Sequence, residues 1–250
     1  MGSSRRLLLA VAVGGAVAAV GGVLWWFSGD EPAPVDAERA IDQDDEEASI
    51  AEDLFPENGA AVEPLEDLTG RWHVDTTRPL DLAEGRGTFV GYRIEEEVAN
   101  VGASTAIGRT PDVGGHIEFA STSVVSARVD ADLTTLVSDD PRRDRRVQSM
   151  LGPDAQASFV LNDVIDPGEV PRIGEIIELD VDGTLTIRDI SRPVEARVQV
   201  GVIERGMVVT GSLSIALDDF DLEVPSAAIV LSASEEATIE WQLFFARDAS

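Results

Sequence analysis

The sequence predicts an all-β protein: an antiparallel barrel of about eight strands with one short helix, preceded by an N-terminal transmembrane helix. Three observations predict it. From Thr69 onward, apolar and polar residues alternate with period two in segment after segment, and turn residues separate the segments. A short helix is signalled at Pro141. A charge-free apolar run occupies Leu7–Phe27.

The strands are read from their alternation. Val90, Tyr92 and Ile94 face away from Arg93 and Glu95. Ile177, Leu179 and Val181 alternate with acidic residues, and Val194, Ala196, Val198, Val200 and Val202 with Glu195, Arg197 and Gln199. Ala237, Ile239, Trp241, Leu243 and Phe245 run down one face of the last segment. One dry face and one wet face mark antiparallel sheet. Glu204-Arg205-Gly206 predicts a hairpin into Met207–Leu217, and Asp166-Pro167-Gly168 ends a strand over Ala157–Ile165. Gly183, inside a strand, predicts a bulge or bend. The Gly-rich stretch Gly102–Gly115 reads as an irregular connection. For the helix, Asp140 is the N-cap, Pro141 the first residue, Val147, Met150 and Leu151 the apolar stripe, and Gly152-Pro153 the stop. Closing the sheet removes exposed edges, which favours a barrel over a two-sheet sandwich.

The N-terminal run has the roughly 20 apolar residues that a bilayer span needs. Arg5 and Arg6 precede it and acidic residues follow, so the positive-inside rule keeps residues 1–6 in the cytoplasm and sends the rest across. Trp25 and Trp26 sit at the interfacial end. A cleaved signal peptide is the rival reading, with Ala16 and Ala18 as a small-x-small site, but the apolar run continues past it. The expectation is a single-pass anchor over residues 7–27 with an extracytoplasmic domain. Residues 28–68 carry four prolines and the acidic run Asp42 to Glu47, which predicts a disordered, self-repelling tether with at most a helical turn over Ala48–Phe55. The folded domain is expected over residues 69–248.

Composition narrows the chemistry. The net charge of −28 makes nucleic acid a poor partner. No cysteine is present, which excludes thiol chemistry and a lipoprotein anchor. His73 and His116 are the only histidines and stand at no metal-ligand spacing in the sequence, so neither a metal nor a cofactor is expected. There is no GxSxG elbow and no Gly-rich phosphate loop, and the many carboxylates alternate onto wet strand faces, which argues against an enzyme.

Ordered short motifs carry a family likeness. Trp72-His-Val-Asp75 opens the domain, followed by Gly87-Thr-Phe-Val-Gly-Tyr-Arg-Ile94 and Ala131-Asp-Leu-Thr-Thr-Leu136. Arg143-Asp144, Ala157-Ser-Phe-Val160, Val181-Asp-Gly-Thr-Leu-Thr-Ile187 and Arg192-Pro-Val194 come next, with Ile229-Val-Leu-Ser232 and Gln242-Leu-Phe-Phe245 at the end. Over about Leu68 to Arg247 the chain resembles the YceI-like family of exported lipid-binding proteins. The resemblance implies a lipocalin-like barrel with an elongated apolar pocket for a polyisoprenoid or similar amphiphile. Thr77-Arg78 and Leu185–Ser191 stand where the family commonly has histidines, so polar contacts built on those histidines do not carry over.

If the barrel is hollow, its lining is expected from Val90, Tyr92, Ile94, Phe159, Leu161, Val198, Val200, Trp241, Leu243 and Phe245. The same residues would be plain core in a filled barrel, and the protein then a ligand-free scaffold or interaction domain. Arg142, Arg143, Arg145 and Arg146 cluster at the helix start and are candidates for an anionic head group. The competing reading is a solvated helix face neutralised by Asp139, Asp140 and Asp144, with Arg143 and Asp144 as a structural pair.

Overall fold

The computed structural model describes residues 32–54, 67–168, 171–204, 206–224 and 230–247. The apolar run 7–27 lies outside the described residues. Among those residues the chain forms twelve strands and two α-helices.

Eight strands close into an antiparallel ring. Their order around it is β1 (Gly70–Val74), β4 (Val113–Ala120), β5 (Ser123–Asp132), β7 (Gln156–Leu161), β8 (Ile176–Ile187), β9 (Ile190–Ile203), β10 (Gly206–Ala216) and β12 (Glu236–Arg247), with β12 returning to β1. The closing pair is short, Trp72 to Val74 against Arg247 to Phe245. The other half of β12 pairs through Thr238–Gln242 with β2 (Phe89–Val98), which continues to β3 (Gly102–Thr110) and the two-residue β6 (Val137–Ser138). A short β11 (Val230–Ala233) pairs on β2. Sharing β12 in this way leaves a gap at one end of the barrel. The helix α2 (Pro141–Leu151) packs there, with Val147 and Leu151 buried. Its caps follow the local chemistry: the Asp140 side chain accepts from the Arg142 N–H, and Gly152 takes a positive φ at the stop.

The structure corrects four expectations. Gly102–Gly115 is no irregular connection; most of it is β3 and the start of β4. Gly108 stands directly opposite Tyr92, whose ring occupies the space that a Cβ would need. Gly183 is not a bulge, because β8 and β9 stay in register through it. It is small because the Phe159 ring lies over it, 2.1 Å from where a Cβ would stand. The strand expected over Ala157–Ile165 stops at Leu161.

The fourth correction concerns the tether. A helix α1 (Ala37–Leu54) runs through it. Asp36 accepts from the Arg39 N–H at the helix start, and the Ala37 N–H donates to the Gln199 side chain at 3.0 Å. Ala37, Ala40 and Ile41 make a helical stripe and are buried on the outside of the barrel, where Ile41 joins Ile203, Val208 and Phe244 in a second small core. Gly201 admits this approach, since a Cβ there would stand 2.6 Å from Ile41 Cδ1. Arg78 pairs with Asp44 in the same helix and with Asp75 at 3.3 Å. Low average hydrophobicity hid three apolar residues at helical spacing, which suffice when the surface opposite is already formed.

Candidate functional site

The inward faces of the ring converge on one apolar cavity of about 250 Å³. That is somewhat below the roughly 300–1,000 Å³ of clefts that take drug-sized molecules. It reaches from Val147, Met150 and Leu151 of α2 at one end to Ile165, Pro167 and Pro171 of the β7–β8 connection at the other. Among the described residues no charged side chain lines it. Its polar side chains are Thr122, Ser158, the Tyr92 phenol and the Trp241 N–H.

The interior stays hollow for a reason visible in the register. Three of the largest lining side chains lie flat over glycines of neighbouring strands instead of pointing across the lumen. Tyr92 covers Gly108 and Trp241 covers Gly211, each directly opposite its glycine, and Phe159 covers Gly183 diagonally. A Cβ at any of the three glycines would meet ring carbon at 2.4 Å or closer. The rings therefore spread along the wall and leave the axis open.

All ten lining candidates, Val90, Tyr92, Ile94, Phe159, Leu161, Val198, Val200, Trp241, Leu243 and Phe245, stand on the wall of this one cavity. The sequence reading missed the two ends. Val147, Met150 and Leu151 were legible as a helical stripe, but the stripe does not tell which surface it covers. Burial raises the Tyr92 phenol above its ordinary pKa, against the charge of nearby Arg143, so it remains a neutral hydroxyl.

The arginine cluster divides. Arg143 is half-buried and pairs with Glu96 of β2 at 3.0 Å and with Asp139, so it pins α2 to the barrel. Burial opposes its charge, but Asp139 and Glu96 outweigh this and raise its pKa. Asp144 is not its partner; it accepts from the Ser138 hydroxyl at 2.5 Å. Arg143 is thus removed from the head-group set, whereas Arg142, Arg145 and Arg146 line a groove on the outer side of α2.

A second charged site is built into the wall. Glu240 of β12 accepts from Arg109 Nε and Nη2 at 2.9 and 2.7 Å and from Arg93 Nε at 2.6 Å. Arg109 and Glu240 are almost wholly buried, and the Arg109 guanidinium lies 4.3 Å from the Phe89 ring centre. Glu240 faces the side opposite Trp241, so this network stands outside the cavity. On β1 and β4, His73 stands opposite His116 with ring centres 6.3 Å apart, a neighbourhood that their separation in sequence hides. Among the described residues no group of three or more metal-ligating side chains forms.

The sequence matches the family model described as YceI-like domain over residues 84–245. Among solved structures, a polyisoprenoid binding domain from Saccharophagus degradans, implicated in plant cell wall breakdown, superposes with a TM-score of 0.53 at 16% identity, covering 71% of this chain and 98% of that one. BcnA from Burkholderia cenocepacia has a TM-score of 0.47 at 20% identity, covering 66% and 99% of the two chains. A Campylobacter jejuni YceI protein has 0.43 at 16%, covering 57% and 85%. Comparison with curated proteins finds no match.

Proposed function

This chain belongs to the YceI-like family, and from that premise we propose that its barrel binds lipid, holding or carrying a long-chain isoprenoid or similar amphiphile in the apolar interior. The observation that carries the reading is a cavity lined, among the described residues, by no charged side chain, with its aromatic rings set against glycines. A hydrocarbon gains roughly 25 cal/mol per Å² of apolar area removed from water, and such a tail needs no polar partners along its length. The absence of a polar signature along the wall is what this ligand class requires. The protein acts by binding and not by catalysis.

The reading includes the membrane. Leu7–Phe27 is proposed as a retained single-pass anchor, with the N-terminus cytoplasmic and the barrel outside, on the strength of its length, its flanking charges and the Trp pair. The barrel would then stand beside a reservoir of its ligand.

Mass spectrometry of lipid extracted from the purified full-length chain tests the proposal. A stoichiometric prenyl-type lipid is expected. Trp241→Arg should abolish its recovery, and Val200→Trp, which fills the lumen without adding charge, should do the same in a protein that still folds. No recovered lipid, together with failure to take up added polyprenol, would leave a ligand-free scaffold.

A further inference from the structure

We propose that His73 and His116 form a two-imidazole site for a divalent transition-metal ion, copper(II) ahead of nickel(II) and zinc(II), on the outer wall of the barrel. The inference goes beyond the lipid-binding reading and does not depend on it, because neither ring lines the cavity.

The chain has only two histidines in 250 residues, and no cysteine. The strands β2 and β3 separate them in the sequence, yet the fold sets them face to face, His73 of β1 directly opposite His116 of β4. Trp72 and Val74 turn inward from β1, and Ile117 turns inward from β4, so both imidazoles point outward. Opposed side chains on antiparallel strands have Cβ atoms roughly 4.5–5.5 Å apart, close enough for two imidazoles to reach one ion. The ring centres stand 6.3 Å apart with their planes inclined at 49°. Two ring nitrogens at about 2.0–2.1 Å from a shared metal bring the centres to roughly 5 Å. Both rings are partly exposed, and the broad χ2 torsion of histidine supplies the remaining adjustment of about 1 Å.

The surroundings admit a cation. Arg71 faces the same side but pairs with Glu118 at 2.8 Å, and Arg128, opposite His116 on β5, pairs with Asp130. Each pair cancels its own charge, while the chain as a whole carries −28 and attracts cations. Imidazole is mostly neutral at pH 7, and burial holds His116 below its ordinary pKa, so a ring nitrogen has a lone pair to give. Imidazole ligands suit copper(II), nickel(II) and zinc(II), and the intrinsic order of affinity puts copper(II) first. Once one imidazole holds the ion, capture by the second is intramolecular, which strengthens binding well beyond that of a single ring. With waters completing its coordination, the ion joins β1 to β4 beside the short seam between β1 and β12.

The test uses the full-length chain in detergent, without a histidine tag, and copper(II) alone as the probe. Calorimetric titration of wild type should show one ion bound per chain, and its electron paramagnetic resonance spectrum should show splitting from two imidazole nitrogens. His73→Asn and His116→Asn should each weaken binding about 100-fold, the advantage that the second ring supplies. Nickel(II) and zinc(II) should bind wild type more weakly than copper(II). An ion that binds only the folded chain also raises Tm, so saturating copper(II) should raise it in wild type and not in His73→Asn/His116→Asn. The wild-type spectrum needs no variant, which keeps the site testable even where a substitution unfolds the barrel. A spectrum without two-nitrogen splitting would overturn the site in favour of carboxylate ligands. Full affinity in either single variant would overturn it too, since one ring would then suffice, and an equal rise in Tm in the double variant would place the ion elsewhere.

Discussion

Glu240 joins β12 to β2 and β3 by holding two arginines, and it does so almost entirely out of water. Arg93 carries the contact outward, donating to the Pro32 and Ala33 carbonyls at 2.5 and 2.8 Å. A buried ion is tolerated only while its partner is present. Glu240→Ala should therefore cost about 3–5 kcal/mol, because Arg109 would stay buried and unpaired. Urea unfolding of a fragment starting at Pro32 measures this, and a loss well under 1 kcal/mol would mean that water replaces the carboxylate. Burial lowers the Arg109 pKa, and the Glu240 carboxylate opposes that effect. None of this was legible from the sequence. Glu240 reads there as one more wet-face residue between Ile239 and Trp241, and only the tertiary structure buries it.

At the scale of elements, α1 changes where the domain begins. Its stripe seals Ile203, Val208 and Phe244 on the barrel's outer surface. A fragment starting at Thr69 leaves that surface bare, whereas one starting at Pro32 keeps it covered. Burying Ile41 alone is worth about 1.5–3 kcal/mol, so the shorter fragment should be less stable by at least that much and prone to associate. Gly201→Leu in the longer fragment should mimic the truncation, since the new side chain would stand where Ile41 packs. Equal denaturation midpoints for all three proteins would show that α1 does not hold to the barrel. The signal was present in the sequence. Leu243-Phe244-Phe245 and Gly201-Val202-Ile203 break strict alternation, and a strand with apolar residues on both faces needs a cover on both. The alternation was strong enough elsewhere to conceal these two exceptions.

For the molecule as a whole, a hollow barrel should gain stability from its guest. A ligand that binds only the folded state adds about 2.7 kcal/mol at 100 times its Kd. Thermal unfolding of the full-length chain with added polyprenol should show a rise in Tm, and Val200→Trp should show none. A rise of the same size in that variant would move the lipid to another surface. By itself, the sequence determined which residues face inward. Period-two alternation follows from strand geometry, and all ten lining residues were named from it. It also determined α2, because caps and stop are local chemistry. Only the tertiary structure decided that the interior is hollow, that α2 and the β7–β8 connection bound its ends, and that Arg143 is structural while Arg142, Arg145 and Arg146 are left unpaired. Those outcomes depend on cross-strand register, which sets rings over glycines and carboxylates beside arginines far apart in the chain. A local pattern records which way a side chain points, and long-range pairing determines what it meets.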